Sequence, residues 1–136
     1  MPVFSDSNQF YDCLQTLFDR VELAQPQAAE SLLRSKLAIR FVTEEPDGVV
    51  VMDARKRPFQ ITYGTNSVKP DVDITLNADI LHKILLGDLS ITKAMGRRAL
   101  VAKGPIWKTK ALADLFYEAR RIYPQVLAEK GLGHHL

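Results

Sequence analysis

Thiols are nearly absent: Cys13 is the one cysteine, so no internal disulfide can form. That suits a reducing compartment. On an apparent helix, with no histidine on its face, Cys13 reads as a small half-buried hydrophobe rather than a nucleophile. Long apolar runs are missing too, and none approaches the roughly 20 residues that span a bilayer. The opening MPVFSDSNQF has neither the basic start nor the apolar core of a secretory leader, so a soluble, cytoplasmic protein is expected. Neither sign of charge dominates. Lys and Arg number 18 against 16 Asp and Glu, giving a net charge of +2 and a pI of about 8.7. That is far from the basic excess of a nucleic-acid-binding domain, and there is no zinc-finger spacing or Gly-rich phosphate loop. His82, His134 and His135 are not spaced as zinc ligands, and no G-x-S-x-G nucleophile elbow occurs. The expectation is a protein without catalytic residues, metal, cofactor or nucleic-acid partner.

What is present fits one domain of 136 residues with 46% hydrophobic and 25% charged residues, enough to bury roughly 68–70% of the unfolded chain's surface. From Ser5 to Ala24, Phe10, Leu14, Leu17, Phe18 and Val21 recur at three- and four-residue steps and predict a helix. Gln25-Pro26 interrupts it, and Gln27 to Ser35 predicts a second helical piece. The period then drops to two. Leu37, Ile39 and Phe41 alternate in a first strand, Val49 to Ala54 forms a second, and Phe59, Ile61 and Tyr63 mark a third. Turns at Glu45-Pro46-Asp47-Gly48 and Arg55-Lys56-Arg57-Pro58 join them into an antiparallel meander.

Gly64 to Pro70 reads as a loop. Val72, Ile74 and Leu76 then alternate with Asp73 and Thr75 in a fourth strand. Asn77 is positioned to cap a helix over Ala78 to Leu86, with Gly87 ending it. A short helix over Ser90 to Met95, a strand over Ala99 to Lys103 and an amphipathic helix from Ile106 to about Tyr123 complete the pattern. Pro124 is expected to break or kink that helix, leaving 124–136 as a tail with at most one more turn. No linker or repeat divides the chain, so 1–136 reads as a single domain with its core over about 10–123.

Strands and helices are partly segregated. The expected fold class is therefore α+β, a five-stranded, mostly antiparallel sheet covered by helices. Val49 to Met52 and Leu100 to Ala102 are apolar on both faces although only one should be covered; a void or a dimer contact would account for this.

The stretch DVDITLNADILHKILLGDLSITKAMGRRALVAKGPIWKTKALADLF, Asp71 to Phe116, resembles the sterol carrier protein 2 family of lipid-binding domains. That family shows an alternating strand (Val72, Ile74, Leu76), a capped helix (Asn77) ending in a leucine pair and glycine (Leu85-Leu86-Gly87), and a short helix with a central alanine (Ala94). A strand ending in glycine (Gly104) and an amphipathic helix (Leu112, Leu115, Phe116) follow. The likeness spans about residues 10–123. One position departs: where the family usually has glycine before the last strand, this chain has Arg98. The end His134-His135-Leu136 lacks the peroxisomal signal of many eukaryotic members, which points to a bacterial or archaeal standalone version. The resemblance implies an apolar tunnel that binds a fatty acid, acyl-CoA, phospholipid, quinone or sterol without catalysis.

Residues placed on the tunnel walls are Phe41, Val51, Phe59, Ile61, Ile74 and Leu76 from strands, and Leu81, Leu85, Met95, Leu112 and Phe116 from helices. Each is equally a residue type that packs a solid core. Tyr63, Arg98, Trp107 and Lys108 are placed at the mouth, although Trp107 would serve equally to anchor the last helix. Arg97, Arg98, Lys103, Lys108 and Lys110 form a basic cluster suited to an anionic head group, an anionic membrane surface or plain solvation. Arg120-Arg121 is expected on the solvated outer face of the last helix. The rival reading is a protein-interaction or accessory module, a homodimer or subunit, with the same fold and a filled pocket.

Overall fold

The structure is a computed structural model describing residues 2–65 and 67–136. Helix α1 (Ser7–Ala24) begins where the Asp6 carboxylate accepts the Gln9 amide at 2.8 Å, which supplies a partner to a helix-start N–H that would otherwise lack one. Its apolar stripe, Phe10, Leu14, Leu17, Phe18 and Val21, is buried together with Cys13. A 3-10 turn (Pro26–Ala29) and the short α2 (Glu30–Ser35) follow.

Strands β1 (Ala38–Glu44), β2 (Gly48–Asp53), β3 (Gln60–Tyr63), β4 (Val72–Asn77) and β5 (Leu100–Lys103) form one sheet in the order β3-β2-β1-β4-β5. The first three strands make the expected meander. The central β1–β4 pairing is parallel and the other three are antiparallel, so the sheet is mixed. Strand β3 therefore points the same way as β4, and the chain must travel the length of the sheet between Tyr63 and Val72. It does so through the loop expected over 64–70, in which Asn66 lies outside the described residues. The loop ends where Asp71 and Ala38 exchange hydrogen bonds at 2.8 Å, the amide of each donating to the carbonyl or carboxylate of the other. Two residues on, Asp73 pairs across the strands with Arg40.

Helices α3 (Ala78–Leu86), α4 (Ile91–Gly96) and α5 (Ala113–Glu129) complete the domain. Asn77 caps α3 through the Asp79 amide and Gly87 ends it at φ +83°, both as expected. The glycine at the end of β5 is dictated by a close approach: a Cβ on Gly104 would sit 2.1 Å from the Asp71 carbonyl oxygen.

Two expectations about the C-terminal third are corrected. Ile106–Leu112 is a 3-10 helix, and α5 proper starts only at Ala113. At the other end α5 runs through Pro124 to Glu129, and residues 124–136 are not a tail. Proline inside a helix costs about 3 kcal/mol. Tyr123, Val126 and Leu127 are each 0% exposed, and burying each is worth roughly 1.5–3 kcal/mol, so packing outweighs the break. The chain ends in a 3-10 turn (Gly133–His135) behind buried Leu132.

The two-faced strands also resolve. Ile39, Phe41, Val50, Met52, Ile74 and Leu100 face the helices and join one core. Val51 lies on the opposite face, in register between Arg40 and Thr62, yet is 0% exposed within this chain. Its burial needs neither a void nor a second copy. Val101, on β5, is 61% exposed.

Candidate functional site

On the helix side of the sheet lie two clefts and a small void. The first cleft, about 360 Å³, lies between α1, the Pro26–Ala29 turn, α2 and the edge strand β3. Phe59, Ile61 and Tyr63 form its sheet side, and Phe18, Val21 and Leu33 its helix side. The second cleft, about 340 Å³, lies where α3, α4, the Ile106–Leu112 helix and α5 converge. Between them sits a void of about 10 Å³ lined by Leu14, Phe18, Phe41, Val50, Met52, Leu81, Leu85 and Phe116. Phe18 belongs to both the first cleft and the void, and Phe116 to both the void and the second cleft. Phe116 packs on Phe41 with ring centroids 6.1 Å apart. A void of this size is at the threshold for one water molecule. The open tunnel expected from the sequence is therefore absent as such, and aromatic rings close the passage between two open ends.

The structure brings eight of the residues named from sequence to these spaces. Phe41, Leu81, Leu85 and Phe116 line the void, Leu112 joins Phe116 at the second cleft, and Phe59, Ile61 and Tyr63 line the first; Ile74 is 0% exposed beneath them in the packed core. Leu76 is likewise core, and Met95 is half-buried against it. Val51 faces away from the helices altogether, because a strand's side chains alternate and the register puts it opposite Arg40.

Arg98, Trp107 and Lys108 line neither cleft and are exposed, Trp107 at 71%. The cause for Lys108 is helix type. In an α-helix it would share a face with Leu112, but in a 3-10 helix with three residues per turn that place falls to Thr109. Thr109 lines the second cleft, with Lys110 and Arg120. Arg120 is thus not merely solvated on the outer face: a Cβ on Gly87 would lie 2.5 Å from its Cδ and Nε, so the side chain lies across that glycine. Sequence reasoning also missed Leu14, Phe18, Val50 and Met52 in the void. Their apolar periodicity was visible, but nothing in it separates a wall from plain core.

Burial or pairing shifts three titratable groups, Tyr63, Cys13 and Glu30. Burial pushes the Tyr63 phenol well above its usual range, with the Asp19 carboxylate adding to the effect. Burial likewise pushes the Cys13 thiol up to about 11, so at neutral pH it is a thiol and a poor nucleophile. At the rim of the first cleft, Arg57 donates to Glu30 at 2.7 and 3.0 Å and holds that carboxyl below its usual range. No group of three or more His, Cys, Asp or Glu among the described residues is placed to hold a metal.

A five-stranded mixed sheet with helices over one face defines the class, an α+β fold. The chain belongs to the SCP-2 sterol transfer family, whose model matches residues 14–117. It is similar in fold to sterol carrier protein domain 2 of Helicoverpa armigera, at 21% identity and TM-score 0.61 over 79% of this chain and 84% of that one. Sterol carrier protein 2 of Yarrowia lipolytica, in its apo form, aligns at 19% identity and TM-score 0.62 over 84% and 91%. A ubiquinone synthesis protein, UbiJ-SCP2, aligns at 16% identity and TM-score 0.51 over 72% and 75%. No curated protein matches the chain. The family is one of lipid binding or transfer, and its members are typically non-catalytic carriers. Among the described residues, no helix is long and apolar enough to cross a membrane.

Proposed function

We propose that this chain binds one long-chain hydrophobic molecule along the line from the first cleft through the void to the second, and carries out no chemistry on it. One observation carries the reading: the void between sheet and helices shares Phe18 with the first cleft and Phe116 with the second. Aromatic rings swing about two side-chain torsions without moving the backbone, so a guest need only displace them. Burying its chain against this lining contributes roughly 25 cal/mol per Å², which favours length over head-group identity. Fatty acids, acyl-CoA, phospholipids, quinones and sterols all fit that chemistry; the fold shared with a ubiquinone synthesis protein keeps quinones among them. Tunnel walls are assigned to Phe41, Phe59, Ile61, Leu81, Leu85, Leu112 and Phe116. The exposed Arg97, Arg98, Lys103 and Lys108, none ion-paired among the described residues, suit transient contact with an anionic membrane during loading.

Native mass spectrometry of the purified protein, with displacement of a fluorescent fatty acid, tests this directly. One lipid per chain and saturable displacement are expected. The closed void favours a second reading, an accessory module whose pocket is filled and which acts as a dimer or subunit. A protein that takes up no fatty acid, lysophospholipid or quinone, and elutes as a tight dimer by size exclusion with light scattering, would establish that reading instead.

A further inference from the structure

The two clefts differ in charge. The first is bordered by the carboxylates of Asp19, Glu22 and Glu30, and its one cation, Arg57, is already committed to Glu30 at 2.7 Å. The second is bordered by Lys110 and Arg120 with no carboxylate in its lining. Six of the nine arginines in the chain, Arg20, Arg34, Arg40, Arg55, Arg57 and Arg121, stand in ion pairs. Arg120 does not, and neither it nor Lys110 has a hydrogen-bond partner among the described residues. Arg120 is nevertheless positioned, laid across Gly87, whose missing side chain makes the space for it. The hydroxyl residues Ser90, Thr92 and Thr109 share the lining, and Phe116 forms the apolar throat behind them.

We infer that the second cleft is an anion-binding head-group site, in which Arg120 and Lys110 take the carboxylate or phosphate of a single-chain lipid whose tail passes Phe116 toward the first cleft. This rests on the reading that an apolar chain occupies the line between the clefts. It goes beyond that reading by fixing the ligand's direction and charge. Like charges at the first cleft disfavour the reverse orientation, and two unpaired cations at the second favour this one. A guanidinium offers a planar fork matched to two oxygens of a carboxylate or phosphate, and the ammonium of Lys110 adds a second point charge.

The test compares hexadecanoic acid, hexadecanol and 1-palmitoyl lysophosphatidic acid on the wild type and on the double variant Lys110→Gln, Arg120→Gln. Affinities are measured by displacement of a fluorescent probe, with circular dichroism as the check on folding; both side chains are exposed, so the variant is expected to fold. Wild type should bind the acid and the phosphate more tightly than the alcohol. The variant should lose about tenfold for both anions, about 1.4 kcal/mol, and nothing for hexadecanol. A loss for only one anion supports the site and names its ligand's head group. Equal affinity of wild type and variant for both anions overturns the inference while the alcohol's binding leaves the carrier function standing. A wild type that binds none of the three overturns both.

Discussion

Arg98 holds a backbone conformation that suits another residue. Its φ is +58°, the left-handed region that costs a side-chain-bearing residue about 1–2 kcal/mol. The family's usual glycine at this position is explained by that geometry, and the departure visible in the sequence is a strained substitution. The Arg98 side chain is exposed and in no ion pair among the described residues, and its one local bond, amide to Met95 carbonyl at 3.0 Å, is one that glycine would keep. Arg98→Gly should raise stability by about 0.5–1 kcal/mol, after allowing for glycine's larger unfolded-state entropy. Urea denaturation measures this, and an unchanged or lower midpoint would remove the strain argument. Legibility at this scale was uneven. Asn77, Gly87 and Gly104 announced their roles because caps and close approaches demand particular residue types. Val51 did not, since an apolar residue in an apolar strand carries no mark of which face it takes.

At the scale of elements, α3 and the chain's end are tied by one buried histidine. His82 Nδ1 lies 2.7 Å from the Tyr123 hydroxyl, and its Nε2 lies 3.0 Å from the carbonyl oxygen of His135. A carbonyl only accepts, so Nε2 carries the proton and Nδ1 accepts from the phenol in the neutral ring. Burial is the main cause that holds the His82 pKa below its usual value of 6.5. The folded state therefore takes up this proton less readily than the unfolded one. Stability from this group is complete above about pH 6.5 and is lost as pH falls from there toward the lowered folded-state value, with a slope of at most about 1.4 kcal/mol per pH unit. The carboxyls of Glu30, Asp53 and Glu129, all held low by arginine partners, titrate beneath that window. His82→Gln should flatten the profile of unfolding free energy between pH 7 and 5. Equal slopes in the two proteins would mean another group is responsible. This tie, with α5 continuing through Pro124, packs residues 124–136 onto the core through Val126, Leu127 and Leu132. The sequence pointed the other way because proline's local cost is visible in one residue, while the burial that overrides it is spread over Tyr123, Val126, Leu127 and Leu132.

For the whole molecule, the question is how a nearly filled interior admits a guest. Phe116 is half-buried and stands at the junction of void and second cleft. Phe116→Ala should join the two spaces and cost roughly 2 kcal/mol, below the 3–5 kcal/mol of a fully buried phenylalanine. Saturating hexadecanoic acid should restore much of that loss, because a ligand that binds only the folded state stabilises it by mass action. Thermal melts with and without the acid would show a larger ligand-induced rise in Tm for the variant than for wild type. A variant that is simply less stable, with no response to the acid, would favour the filled-pocket reading.

Local chemistry decided much of this protein from sequence alone. The order of helices and strands, the meander, the capped α3 and the family likeness over Asp71 to Phe116 all follow from spacing, caps and turns within a few residues of one another. Tertiary structure decided the rest: the parallel pairing of β1 with β4, the side of the sheet that Val51 takes, the division of the interior by Phe18 and Phe116, and the opposite charges of the two clefts. Those depend on which residues distant in the chain meet. Periodicity tells which side chains face inward, but the shape of the space they leave is set only when α1, α3 and α5 settle together on the sheet.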